Sequence, residues 1–441
     1  MELNPTHDPS ARSWLASANN PQADFPIQNL PFAVFRRRAS QEAFRGGIAI
    51  GDQVIDLAAL HQAGVLTGLA AQGLAACTGD SLNPFMAMRP AIWSALRRAV
   101  FDGLLADANG PEAATLRASL VPLAKVEYQV PARIGDYTDF YTSIHHARNV
   151  GRVIRPEDPL TPNFQWIPIA YHGRASSVVI SDTPFHRPMG QAMPPGARAP
   201  VYGASQRMDY ELEMGIYIGA GNTQGQAIPL TEAESHIFGM CLLNDWSARD
   251  HQFWEMAPLG PFLGKNFCTT VSPWIVTMEA LVPFRVPFSH PADEPQPLPY
   301  LDTPANSAQG GVDVQLEVRL ETAQHRARGV APDRLSATSF RHQYWTIAQM
   351  VTQHTVGGCN LQTGDLLGTG TISGPTAEEA GAIVELSLGG SRSISLPGTG
   401  EQRTFLEDGD AVILRGWCEK PGAVRIGFGE CKGELLPAVG D

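Results

Sequence analysis

Apolar and polar positions alternate with period two over many short stretches of this chain, and helical spacing takes over in only a few places. Residues 32–35 open a strand-like run. Residues 46–57, GGIAIGDQVIDL, alternate on both sides of Gly51 and Asp52, which predicts a hairpin. From 58 to 77 the pattern turns Ala/Leu-rich and helical. Beyond Asn83 and Pro84, Ile92, Ala95, Leu96 and Ala99 recur at helical spacing. That predicts a helix burying one face, with Arg89, Arg97 and Arg98 turned to water. Residues 1–30, polar and rich in Pro and Asn, predict an irregular lead-in.

The remainder is dominated by strand patterns. Residues 126–137 read as the crossing into a second domain, and a long Pro/Gly loop spans 186–203. Thr231 to Glu234 fits a capping box opening a short helix. That helix runs into GMCLLND, an apolar strand that delivers Asp245 at its end. Residues 312–320, VDVQLEVRL, predict a strand with one wet face. Residues 344–356 are helical and stopped by Gly357 and Gly358. Residues 382–388, 411–417 and 424–428 read as further strands. No internal repeat or low-complexity tract is present.

Composition narrows the class. Gly (43) and Pro (35) exceed average use in a chain of 441 residues, which favours turns and short strands over a helical bundle. Such a length predicts two domains. The net charge of −12 argues against a nucleic-acid partner, because phosphate binding wants a basic face. No apolar run is long enough for a membrane span, and the N-terminus does not read as a secretory signal. Six scattered cysteines without a C-x-x-C pair predict reduced, buried thiols and a cytoplasmic setting.

Chemistry concentrates in three stretches: 136–151 (DYTDFYTSIHHARNVG), 209–219 (DYELEMGIYIG) and 244–274, which carries NDWSARDHQFWE and PLGPFLGKNF. Glu211 and Glu213 lie two apart in a strand pattern, so both carboxylates share a face. Alone, the pair reads as a solvated strand face. With Asp245 at a strand end, and Asp136 or Asp139 as a further acid, a hard divalent cation becomes the simplest partner for mutually repelling carboxylates. His145 and His146 cannot both point inward from a regular element, and one of them can serve as a general base. Glu385, a charge in the strand-like AIVELSL, needs a buried partner, which a histidine would supply. Lys265 can stabilise developing negative charge. Residues 368–374, GTGTISG, read as a backbone turn near a ligand. No nucleophile elbow, phosphate loop or dinucleotide fingerprint appears.

These segments together resemble the fumarylacetoacetase (fumarylacetoacetate hydrolase) family. The resemblance covers the second domain almost end to end. It implies an α+β, strand-dominated fold: a small SH3-like N-terminal barrel with appended helices over 1–125, and a mixed β-roll over 126–441, forming a homodimer. It places metal ligands on Asp139, Glu211, Glu213 and Asp245, with Lys265 and Thr269 in the metal's surroundings and Mg²⁺ or Ca²⁺ as the ion. It places the base on His146, with Glu385 behind it and Lys265, Arg249 and Gln252 assisting. Substrate contacts fall on Tyr141, Arg155, Tyr171, Arg249, Gln252 and Thr371. The chain departs from the family at Met256, where a substrate-touching tyrosine is frequent, and at Cys268, where glycine is usual. The implied reaction is hydrolytic carbon–carbon cleavage of a 1,3-diketo acid, fumarylacetoacetate, at the end of tyrosine and phenylalanine breakdown. Cleavage of a shorter acylpyruvate, decarboxylation, hydration of an enoic acid and a non-catalytic metal-binding role are the competing readings.

Overall fold

The structure is a computed structural model that describes residues 2–440. In the N-terminal part, five short strands form one antiparallel sheet: β1 (Phe32–Arg37), β2 (Arg45–Ile50), β3 (Gln53–Asp56), β4 (Leu120–Pro122) and β5 (Val126–Gln129), in the order β4-β3-β2-β1-β5. The β2–β3 hairpin turns at Gly51, whose φ of +56° suits a residue without a Cβ. Helices α1 (Leu57–Gln62), α2 (Gly68–Ala76) and α3 (Pro90–Leu104) are appended to this half-barrel.

Two larger sheets follow. Strands β6 (Tyr137–Tyr141), β7 (Ile169–His172), β8 (Val178–Ile180), β10 (Leu212–Ile218), β11 (Ile237–Asp245), β12 (Thr269–Val271) and β15 (Leu366–Gly368) form a mixed sheet in the order β7-β6-β15-β10-β11-β12-β8. Strands β9 (Phe185–His186), β13 (Gln315–Glu321), β14 (Asp333–Ser339), β16 (Ala411–Cys418) and β17 (Ile426–Leu436) form the second, in the order β14-β13-β16-β17-β9. The whole is strand-rich α+β with few helices.

β10 and β11 are buried along their full lengths. Met240 and Leu242 of β11 join a core shared with Leu316, Val412 and Phe428 of the second sheet. Phe238, Cys241 and Leu243 of the same strand join a core with Phe32, Phe85 and Trp93 of the N-terminal part. Covered on both faces, β11 needs an unbroken apolar run, and IFGMCLLN supplies it. The backbone bridge between Phe32 and Ile275 fastens the N-terminal unit further.

Several local expectations need correction. Arg97 does not face water: it is buried, and its Nη2 donates to the Gln28 carbonyl at 2.6 Å. The lead-in is irregular yet packs over this face of α3, which residue spacing cannot reveal. Residues 382–388 form no strand but a single helical turn, Ile383–Leu386. A buried four-residue segment, IVEL, is too short to carry a period that tells the two apart. The Thr231 capping box does not form. The chain makes only tight turns after Pro229 and a 3-10 turn at Ala233–His236 before entering β11. The 312–320 strand is broken at Asp313 and Val314, and its polar face is less wet than expected, with Glu317 buried. Cys359 is exposed, whereas the other five cysteines are buried. Among the described residues no helix is long and apolar enough to cross a membrane.

Candidate active site

Three strands of the mixed sheet bring their carboxylates to one acidic cluster. Asp139 lies in β6, Glu213 in β10 with Glu211 one residue before that strand, and Asp245 closes β11. Ligand oxygens of Asp139, Glu211, Glu213 and Asp245 lie within 4.8 Å of one another, and all four residues are buried. Asp136 is exposed and takes no part. Register explains the convergence: β15 sits between β6 and β10, pairing Gly368 with Asp139 on one side and with Gly215 on the other. A Cβ on Gly368 would stand 2.9 Å from Glu213 Oε2 and from the Tyr137 hydroxyl, so a larger residue would press on the cluster.

Two cations share the cluster. Lys265 Nζ donates to Glu211 at 2.5 Å and to Asp245 at 2.8 Å. Arg249 Nη1 donates to Glu211 Oε1 at 2.7 Å, and its Nε to Asp209 at 2.8 Å. Burial alone would raise the Glu211 pKa, but Lys265 and then Arg249 hold it well below the usual carboxylate range. Burial would lower the Lys265 pKa, and Asp245 and Glu211 push it above its ordinary value instead. Asp139 and Glu213 are pushed the other way. Burial, reinforced by the charge of Asp245 on the first and of Asp139 on the second, raises both. Asp139 Oδ1 and Glu213 Oε1 are buried with no hydrogen-bond partner among the described residues. All-oxygen donors, surplus negative charge and orphaned lone pairs together fit a hard divalent cation. Thr269 supports the same cluster, donating from Oγ1 to Asp245 Oδ1 at 2.9 Å, and the Gly370 N–H donates to Glu213 Oε2 at 3.0 Å.

Of the two adjacent histidines, His146 is the buried one. It lies in α4 (Ile144–Ile154), whose N-cap Ser143 accepts from the His146 N–H. His146 Nδ1 contacts Glu385 Oε1 at 2.6 Å. An ionised carboxylate only accepts, so the proton sits on Nδ1 and Nε2 keeps its lone pair. Glu385, in α5 (Ile383–Leu386), also accepts from Asn149 and Ser373, each at 2.8 Å. Burial would raise the Glu385 pKa; His146 and the hydrogen bonds from Asn149 and Ser373 hold it below normal. His145 is half-buried and packs edge-on to His342.

A cavity of about 460 Å³ opens onto both groups. Its lining includes Asp139, Glu211, His146 and Lys265, together with Tyr141, Arg155, Tyr171, Arg249, Gln252 and Thr371. Every substrate position implied by the resemblance therefore reaches this space, and Met256 lines it as well. Tyr171 is bound at the same time to the cluster, its hydroxyl donating to Asp245 at 3.0 Å. Gln252 Oε1 accepts from Arg249 at 3.1 Å. Thr371 Oγ1 is buried without a partner among the described residues, whereas Arg155 is exposed at the rim. Cys268 lies beneath, its thiol pushed up to about 12 by burial.

Sequence reasoning missed Asn149, Ser373 and Asp209. Asn149 stands three residues after His146 on a helix, which places both on one face. Asp209 stands two before Glu211, so the period that pairs Glu211 with Glu213 extends to it.

Family models match both parts of the chain: Fumarylacetoacetase N-terminal over 28–131, and Fumarylacetoacetate (FAA) hydrolase C-terminal over 137–435. The fumarylacetoacetase of Rattus norvegicus is 47% identical over 422 residues, covering 95% of this chain and 97% of that protein. The Homo sapiens fumarylacetoacetase is 46% identical over 425 residues, with the same coverage. The solved fumarylacetoacetate hydrolase from psychrophilic Exiguobacterium antarcticum superposes with a TM-score of 0.50 at 17% identity, covering 92% of this chain and 99% of that one. With both halves matched and nearly half the residues shared along almost its full length, the chain belongs to the fumarylacetoacetate hydrolase family, as a member of its two-part fumarylacetoacetase branch.

Proposed function

We propose that the chain is a hydrolase that cleaves the carbon–carbon bond of 4-fumarylacetoacetate, giving fumarate and acetoacetate as the closing step of tyrosine and phenylalanine breakdown. The observation that carries this reading is that His146, held by Glu385, lines the same cavity as Asp139 and Glu211 of the four-acid cluster. Asp139, Glu211, Glu213 and Asp245 would hold a divalent cation, Mg²⁺ or Ca²⁺, which supplies Lewis-acid polarisation of the diketo oxygens when bound. His146 Nε2 takes a proton from water, and the resulting hydroxide adds to the substrate carbonyl. Glu385 keeps the imidazole in the required tautomer and stabilises the imidazolium that forms. The carbon–carbon bond then breaks, its electron pair leaves with the acetoacetate half, and a proton returns to that carbon. Lys265, Arg249 and Gln252 donate to the oxygens on which charge gathers, contributions typically worth about 3 kcal/mol each. Arg155, Tyr141, Tyr171 and Thr371 grip the substrate's polar ends, with the arginine fork suited to a carboxylate.

Because Val126–Gln129 completes the N-terminal sheet, the boundary expected at residue 125 moves beyond Gln129: the part up to there serves as a scaffold and the part that follows as the catalytic domain. A homodimer is supported by apolar side chains left in water: Leu259 is 96% exposed, Phe262 64% and Tyr202 67%. Light scattering at twice the 47.5 kDa chain mass tests this. A cytoplasmic setting suits the six free thiols.

The decisive assay follows the enol absorbance of fumarylacetoacetate with and without chelator, with products identified by NMR. Cation-dependent loss of absorbance with fumarate and acetoacetate as products is expected. Metal uptake without turnover would sink the reading.

A further inference from the structure

Asp209 belongs to none of the groups given a role above, yet it is fully buried between them. It ends the short strand Met208–Asp209, paired with Ser247–Ala248 just before the helix that opens with Arg249. Its Oδ1 accepts from the N–H of Ile383 at 2.7 Å and of Tyr210 at 2.8 Å. Its Oδ2 accepts from the N–H of Val384 at 3.1 Å and from Arg249 Nε at 2.8 Å. One carboxylate thus holds two separate parts of the site.

The first part is α5, a single turn that begins after Ala382, a residue with no side chain able to cap it. Asp209 supplies the missing cap from elsewhere in the chain, accepting the first N–H groups of that turn. Glu385 rides on this turn and holds His146. The second part is Arg249, whose other arm holds Glu211 and Gln252. Asp209 is absent from the residues that line the cavity and from the four-acid cluster.

We infer that Asp209 is a positioning residue that sets His146, through Glu385, against Arg249 and Glu211, so that base and charge-stabilising donors face the same substrate carbonyl. The inference rests on the hydrolase reading above. A misplacement of about 1 Å at such a pair can cost roughly 100-fold in rate. Asp209→Asn is the informative change. Its carbonyl oxygen can still accept from Ile383 and Tyr210, while its amide meets two donors, Val384 N–H and Arg249 Nε, where an acceptor stood.

The test measures kcat, KM, cation affinity and Tm side by side in the full chain. Asp209→Asn should lose at least 30-fold in kcat, with KM for fumarylacetoacetate and the Mn²⁺ dissociation constant within threefold of wild type. Combined with Glu385→Gln, it should add less than threefold further loss, because both act through one pair. A purely structural role predicts instead a kcat loss that multiplies with Glu385→Gln, or one that tracks weaker cation binding and a lower Tm. Either outcome overturns the inference, as does a kcat within threefold of wild type. Should Asp209→Asn fail to fold, Asp209→Glu, which keeps the charge and displaces it by one methylene, carries the same expectations and the same grounds for rejection. A wild-type chain inactive on fumarylacetoacetate rejects the hydrolase reading itself, whereas an active wild type with an unimpaired Asp209 variant rejects only the positioning role.

Discussion

His146 and Glu385 stand 239 positions apart in the chain, yet their side chains meet at 2.6 Å in a buried hydrogen bond. The carboxylate has two further donors, Asn149 and Ser373, so its position does not depend on the imidazole alone.

Glu385→Gln replaces an obligate acceptor by a group that can present an N–H to Nδ1 and so select the wrong tautomer. We expect kcat to fall about 100- to 1,000-fold with the fold intact. His146→Ala should remove nearly all turnover while cation binding persists. Steady-state kinetics beside calorimetric Mg²⁺ or Mn²⁺ titration checks both, and wild-type turnover in His146→Ala would remove the base from its role.

Cation binding should stabilise the chain. Asp139 and Glu213 repel one another in a buried setting, and a cation that binds only the folded state relieves this. At a hundredfold excess over its dissociation constant the gain is about 2.7 kcal/mol. Thermal unfolding across Mg²⁺ and Ca²⁺ concentrations, with EDTA as the baseline, reads it out. Asp139→Asn should blunt the response, and a Tm indifferent to both ions would contradict the cluster's assignment.

Gly368 has a different kind of sensitivity. A Cβ there would also press within 3.1 Å of Asp139 Oδ1. Forcing atoms into packed space typically costs about 1–3 kcal/mol. Gly368→Ala should weaken cation affinity about tenfold or more. Unaltered affinity in isothermal titration would show that the cluster yields freely.

Legibility in the sequence follows periodicity. Glu211 and Glu213 were readable because a strand's period is fixed, and Asp245 because it ends a long apolar run. Glu385 reads as a charge in need of a partner, but its strand-like pattern misleads, since the turn that carries it is too short to show a period. Arg97 misled because its cover comes from the lead-in, far away in sequence. The convergence of β6, β10 and β11 is a matter of strand order, on which no local pattern reports; only resemblance to a family supplied it.

Acid should destabilise the fold through its shielded histidines. His354 Nε2 contacts Thr138 Oγ1 at 2.9 Å, and burial lowers its pKa. Burial likewise lowers that of His7, which contacts the Glu279 carbonyl at 2.8 Å. The unfolded chain then binds more protons than the folded one, so stability rises with pH. The contribution is fully present above about pH 6.5, the unfolded value, and is lost progressively as pH falls toward the lowered folded values. Tm should drop between pH 7 and 5.5, and His354→Gln should flatten that slope. A slope identical to wild type would exclude this ring as its source.

β11 carries aromatic packing from the N-terminal unit on one side and ends in Asp245. Damage to that remote packing, at Phe85 or Trp93 for instance, would reach Asp245 through the strand that joins them. Substitutions far from that site would then act first by loosening the four-acid cluster, before the protein as a whole gives way.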